Sequence, residues 1–323
     1  MTRLRLRLRR GRPRLWALWG SLLAIALAIV PLHSQTPRVS VTSAAQSLVE
    51  RGVASPAPTD AAAQGFQEVP APGIRFIPSV GQATAAPWID SNGWRFQRGL
   101  RKAHYATLPV GSAALAAAEA FAFDVEAILD PTAADVETLG AMLTFLAAHA
   151  QPSLPALANI GVVDDASPQM GEILNLLTRR NLLYRVVSSN DRSLNLTVRL
   201  GSRDFPQALA RNPHEFAARV RAKLGDDKRL VRLYGTSSVV ARLTGDGQRT
   251  RLFLLSYAGA TRMQGRGLQP VRVRLLGRYQ PTGVAVDSGP ADAQLADVDY
   301  PGNATEFSVP PFATLAIVDL VRR

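Results

Sequence analysis

The sequence predicts a layered α/β domain with a partly parallel sheet, followed by an all-β antiparallel sandwich. Two patterns carry this expectation. Between residues 112 and 227, short apolar runs alternate with capped segments of helical period. After Asp227 the helical period stops, and short β-patterned segments recur between turn signals. The length agrees: 323 residues, 47% of them apolar, admit two domains and bury a core without staples.

The elements follow in order. Residues 112–129 place Ala114, Ala118, Phe121, Val125 and Ile128 on one helical face, and Asp130-Pro131 ends the run. Thr132 opens a second helix with Asp135 three residues on, and Val136, Leu139, Leu143 and Leu146 repeat at three and four. ANIGVV (158–163) has the continuous apolar character of a strand covered on both faces. Ser167 and Pro168 supply a cap and a first-turn proline for a helix through Arg180, which Asn181 closes. Segments 182–187 and 194–200 read as strands. Asn212, Pro213 and Glu215 then cap a helix carrying Phe216, Val220 and Leu224, with Gly225 at its exit. In the last 95 or so residues KRLVRLY, SSVVARL, RTRLFLLSY, PVRVRLLGRY, ATEFSVP and FATLAIVDL are set apart by turns such as Gly245-Asp246-Gly247 and Pro301-Gly302-Asn303.

Composition narrows the function. There is no cysteine, so disulfides, a thiol nucleophile and a thiolate metal site are excluded. The 37 basic residues exceed the 25 acidic ones, but seven arginines lie in the first fourteen residues. Without them 30 basic residues face 25 acidic ones, a net of +5 with no basic block, so nucleic acid is not the expected partner. Behind the arginines runs an apolar stretch over residues 15–32, ending in HSQTP. Residues 1–34 therefore read as a signal peptide or an N-terminal membrane anchor. That predicts a periplasmic or secreted protein, or one held in the inner membrane by residues 15–32. Residues 35–84 are rich in Ser, Ala, Pro, Gln and Thr and read as a flexible tether. The α/β domain is then expected over 85–227 and the sandwich over 228–323.

PWIDSNGWRF, IGVVDD, RLFLLSY, VRVRLLGRY and FATLAIVDL together resemble an exported bacterial group of uncharacterised proteins. These in turn look like the rear part of multidomain glycoside hydrolases, where a flavodoxin-like layer precedes a small β-sandwich. The resemblance spans roughly residues 85–323 and implies a carbohydrate-related role. A (β/α)₈ barrel takes about 250 residues, far more than the folded length expected before Asp227, so a complete catalytic barrel is not expected.

Two groups of residues are candidate sites. Trp88, Asp90, Asn92, Trp94 and Arg95 combine aromatic faces with polar groups, as a sugar-gripping surface does. The same stretch also reads as a hairpin, with Asn92-Gly93 as a type I′ turn and the two tryptophans as core or cross-strand partners. Asp164 and Asp165 follow a predicted parallel strand, where α/β sheets hold ligands, with Glu172 in the next helix. They are candidates for a catalytic acid and base, or are capping groups that favour a helix N-terminus.

Other chemistries lack their motifs. His33, His104, His149 and His214 have no ligand spacing, so no metal is expected. No P-loop or GxGxxG follows a strand, and no cofactor is expected. Ser167 and Ser256 lack a nucleophile elbow. Arg179, Arg180, Arg219, Arg221 and Arg229 read as solvated faces or as a patch for an anionic ligand. Three functions remain in view: an envelope module that binds glycan or supports its processing, a reduced-size glycoside hydrolase using an Asp/Glu pair, and a structural envelope protein that binds other proteins.

Overall fold

The computed structural model describes residues 38–75, 88–260 and 270–323. The leader, including residues 15–32, lies outside these, as do residues 35–37 and 76–84 of the expected tether. No helix among the described residues is long and apolar enough to cross a membrane.

In chain order the first part contains β1 (Val39–Val41), α1 (Gln46–Glu50), β2 (Ser55–Pro56), β3 (Gln67–Glu68), β4 (Gly73–Arg75), β5 (Trp88–Asp90), α2 (Gly93–Gln97), β6 (Lys102–Tyr105), α3 (Ala113–Ala122), β7 (Glu126–Leu129) and α4 (Val136–Ala148). Next come β8 (Ile160–Val163), α5 (Pro168–Arg179), β9 (Tyr184–Val187), β10 (Leu196–Arg199) and α6 (Pro213–Leu224). The rest is β11 (Val231–Tyr234), β12 (Val239–Gly245), β13 (Arg249–Ser256), β14 (Val271–Leu276), β15 (Tyr279–Val286), β16 (Ala296–Asp299), β17 (Ala304–Val309) and β18 (Leu315–Arg322).

The α/β part is present, but its parallel strands form two sheets rather than one. A five-stranded sheet has the order β2-β1-β7-β6-β3, and a three-stranded sheet the order β10-β8-β9, with every pairing parallel. The sandwich follows as two four-stranded antiparallel sheets, β11-β14-β17-β16 and β12-β13-β18-β15.

Three expectations need correction, the third in the sandwich. Residues 38–75, read as part of a tether, are folded. Val39 and Val41 alternate with Ser40, so β1 buries both valines while its backbone pairs with β7. Leu48 of α1 is fully buried and packs where Gly140 of α4 has no side chain: a Cβ there would lie 2.9 Å from Leu48 Cδ2. The helix expected through residue 129 stops at Phe123. Asp124 takes a left-handed φ of 55°, which ends α3, and EAIL becomes β7 in the interior of the parallel sheet. Four apolar-rich residues look alike on a helix or a doubly covered strand, so period alone does not separate them.

The caps read from the sequence at α5 and α6 are made. Ser167 Oγ accepts from Met170 N at 3.1 Å, and Asn212 Oδ1 from Glu215 N at 3.2 Å. PVRVRLLGRY is not one strand, because Gly277 at φ 111° turns the chain and sends β14 and β15 to different sheets.

β13 and β18 are apolar on both faces because both faces are covered. Leu252 and Leu254 point into the sandwich core, while Phe253 and Leu255 join the core built by α3 and the five-stranded sheet. The sandwich therefore packs directly on the α/β part. α3 (AALAAAEAFA) fits between them because most of its buried residues are alanine.

Gly93 opens α2 against the buried Phe123 ring, and a Cβ there would fall 2.4 Å from Phe123 Cζ. That ring is pinned, with Phe96 tilted on it at 5.7 Å and the Arg242 guanidinium over it at 4.3 Å. Gly93→Ala is therefore expected to lower stability by about 1–3 kcal/mol, measured as the urea midpoint. Gly283→Ala, where a Cβ meets nothing within 4 Å, is expected to stay within about 0.5 kcal/mol.

Candidate functional site

One charged side chain lies in the middle of α3. Glu119 is 0% exposed, and an ionised carboxylate survives there only if its lone pairs are met. They are met by donors from three places in the chain. Glu119 Oε1 accepts from Tyr257 Oη at 2.6 Å, Ser91 Oγ at 2.8 Å and the Asn92 backbone N–H at 2.8 Å. Oε2 accepts from Tyr105 Oη at 3.1 Å and Asn92 Nδ2 at 3.2 Å. Burial pushes the Glu119 carboxyl above its usual range, while the bonds from Tyr257, Ser91 and Asn92 pull the other way. The sequence reading missed this residue. Its signal was a lone acid inside an otherwise apolar, alanine-rich helix.

Glu119 fixes the turn between β5 and α2. Asn92 donates Nδ2 to Pro70 O at 2.9 Å as well as to Glu119, and its Oδ1 accepts from Arg95 Nη1 at 2.9 Å. Gly93 N–H donates to Ser91 Oγ at 3.0 Å. Asn92-Gly93 is accordingly a helix start and not the type I′ turn of a hairpin. Asn92 has φ −85°, whereas that turn requires positive φ at both central residues. Trp88 and Trp94 are thus not cross-strand partners of each other, but both pack against a hydrophobic core, as the other half of that expectation has it; Trp88 pairs with Arg75 of β4.

The turn presents a half-buried face against α5 and α6. The Trp94 ring lies over Gly171 of α5, where a Cβ would approach it to 3.0 Å. Arg95 and Arg98 lie 4.3 and 5.2 Å from its centroid. Trp88 carries Arg179 at 4.0 Å and meets the His214 ring edge-on at 5.7 Å. Gly171 and Arg179 are eight residues apart on α5, so the two tryptophans mark points separated by roughly 12 Å of helix rise. Arg95 and Arg179 each lie within electrostatic reach of Asp90 and Glu172. Burial lowers the Arg95 guanidinium, which Glu119 and Asp90 oppose. Burial, then Arg180, lowers Arg179 to about 10.

Trp88, Asp90, Trp94, Arg95 and Glu172 are therefore brought together. Asn92, 1% exposed, lies behind them. Asp164 joins through Arg98, whose Nη2 donates to Asp164 Oδ1 at 2.7 Å and to Ser167 O at 3.1 Å. Asp164 Oδ1 also accepts from Ala166 N at 3.0 Å. Asp165 is exposed and accepts from Ser167 N at 2.9 Å; its bonds to Ser167 hold its carboxyl below the usual range. Among the described residues no group of three or more His, Cys, Asp or Glu could hold a metal ion.

No protein-family model and no curated protein matches this chain. Among solved structures, alpha-L-fucosidase isoenzyme 2 from Paenibacillus thiaminolyticus is similar with TM-score 0.51 at 10% identity, over 69% of this chain and 59% of that one. A beta-galactosidase from Rahnella sp. R3 aligns with TM-score 0.33 at 9% identity, over 78% of this chain and 54% of that one. The chain thus spans less than two thirds of either protein. At such identity the fucosidase likeness concerns the fold alone.

Glu119→Gln replaces an acceptor oxygen by an amide donor among five donors. It is expected to cost about 3 kcal/mol or more in chemical denaturation. The pH dependence has a definite sign. The folded-state value lies above the ordinary 4.5, so the folded protein binds this proton more tightly than the unfolded chain. The stability of wild type relative to Glu119→Gln is expected to be greatest below pH 4.5 and to decline as the pH rises through the folded value. Paired denaturation curves across that range measure the difference.

Proposed function

We propose that this chain is an exported cell-envelope module that binds glycan through the face formed by Trp88, Asp90, Trp94 and Arg95 with α5. The observation that carries the reading is the pairing of two half-buried tryptophans along one helix, with Arg95 over one ring, Arg179 over the other, and Asp90 and Glu172 within electrostatic reach of both arginines. Sugar rings offer apolar C–H faces and a rim of hydroxyls, so a binding surface needs aromatic area beside both donors and acceptors. Arginines supply only donors and carboxylates only acceptors. Export rests on the arginine-led apolar leader, residues 1–34. The likeness in fold to the Paenibacillus fucosidase is in keeping with a carbohydrate-related role.

Hydrolysis by Asp164, Asp165 and Glu172 is the less favoured reading. A general acid has to hold a proton near neutral pH. Asp165 is shifted downward by its bonds to Ser167, and Asp164 is engaged by Arg98. A structural role through the sandwich is favoured by one feature, a groove between the edge strands β15 and β16. It is lined by Pro281, Val284, Leu295, Val298 and Tyr300.

Binding of the full chain to arrayed glycans, followed by calorimetry on the best ligand, tests the reading. Trp94→Ala is expected to weaken binding about tenfold or more with no turnover of aryl-glycosides. Turnover that is abolished by Asp165→Asn sinks the binding reading in favour of hydrolysis. Absence of any glycan binding, with a stable protein partner in pull-down, favours the structural role.

A further inference from the structure

Beyond Trp88 the face runs into a cluster of cations. Arg180 ends α5, and its Nη2 reaches His214 Nδ1 at 3.4 Å, in the first turn of α6. Arg221 lies seven residues after His214, two helical turns on and on the same side of α6. Between them on the exposed side stands Ala218, a short side chain. Arg229 Nη2 donates to the Arg180 carbonyl at 3.0 Å.

The countercharge goes elsewhere. Asp226 takes Arg221 through Nε at 2.7 Å and Nη2 at 2.6 Å, and Arg229 stands 3.6 Å from it. Among the described residues Arg180 has no carboxylate partner. His214 is the one side chain it bonds, and both are donors once the imidazole is protonated. The cluster is thus short of a negative charge at Arg180, next to the aromatic surface of Trp88.

We infer that Arg180 and His214 form a seat for an oxyanion, the carboxylate, sulfate or phosphate of an acidic glycan whose ring contacts Trp88. This rests on the glycan-binding reading above. An oxyanion suits the site because its oxygens accept from a guanidinium fork and an imidazolium together. The first turn of α6 adds the positive end of its dipole. Free of ligand, His214 is held below its ordinary value of 6.5 by burial and by Arg179 and Arg180. Trp88 is the aromatic neighbour that faces it from β5, and Arg179 and Arg180 face it from α5. An anion beside it offsets those charges, so binding and protonation of His214 favour each other, and affinity rises as the pH falls through the His214 value.

The test follows the imidazole signals of the full chain by NMR during titration with inorganic phosphate, inorganic sulfate and glucuronate. Affinities for an acidic oligosaccharide and its neutral analogue are measured in parallel. Expected are an upward shift of the His214 pKa by the anions, with His104 and His149 unmoved, and at least about tenfold preference for the acidic glycan. Both effects are expected to be lost in Arg180→Met. The relative responses to glucuronate, sulfate and phosphate tell which oxyanion the seat takes. Glycan binding with no preference for the acidic form, or an unmoved His214, overturns the seat while the glycan reading stands. A His214 shift with phosphate in a protein that binds no glycan overturns the glycan reading and this inference's choice of ligand.

Discussion

A carboxylate with no access to water has to be surrounded by donors, and the fold is arranged around that requirement at Glu119. Its donors come from β6 (Tyr105), from the turn after β5 (Ser91 and Asn92) and from Tyr257 just after β13, a residue 138 positions away. Removing water from this site is what makes each partner matter: a donor lost in a low-dielectric interior is not replaced by solvent. One side chain thereby ties the parallel sheet, the turn carrying the tryptophans and the sandwich into a single arrangement. The position of Trp94 and Arg95 is a downstream result, since both follow from Asn92 being held on Glu119 and Pro70.

The same joining of parts recurs with different chemistry. Asn181, left-handed at the end of α5, pairs its amide with β12. Its Nδ2 donates to Val239 O at 3.1 Å, and its Oδ1 accepts from Ala241 N at 2.6 Å. Arg251 of β13 is 4% exposed, pairs with Asp319 of β18 and donates to the His149 carbonyl at 2.9 Å just past α4. Each joint satisfies buried backbone or charge on both sides, so the sandwich edge serves as a wall for the α/β layers. The candidate face is built where β5 and α2 pack on α5, and Gly171 leaves the room that the Trp94 ring takes.

Legibility in the sequence followed physical range. The caps of α5 and α6 and the strands of the sandwich are local matters of turn chemistry and period, and they could be read. Strands β1, β2, β3 and β6 run two to four residues in polar or alanine-rich surroundings, too short for a period, and they are set by pairing that starts from β7: β1 and β6 pair with it, and β2 and β3 pair with them in turn. That is why residues 38–75 resembled a tether. Asn92-Gly93 carried a turn signal, and Glu119 and Phe123 turned it into a helix start. Of the site residues, Trp88, Asp90, Trp94, Arg95 and Glu172 could be nominated from chemistry. Their assembly along α5, the Arg98 link to Asp164 and the hub at Glu119 depend on long-range contacts that no local pattern encodes.

The central claim is that Glu119 couples the sandwich to the turn beneath the candidate face. A double-mutant cycle between Tyr257→Phe and Asn92→Ala, read by denaturant unfolding, measures this directly, because the two side chains meet through Glu119. The expected coupling energy is about 1 kcal/mol or more. Additivity within about 0.3–0.5 kcal/mol would contradict it.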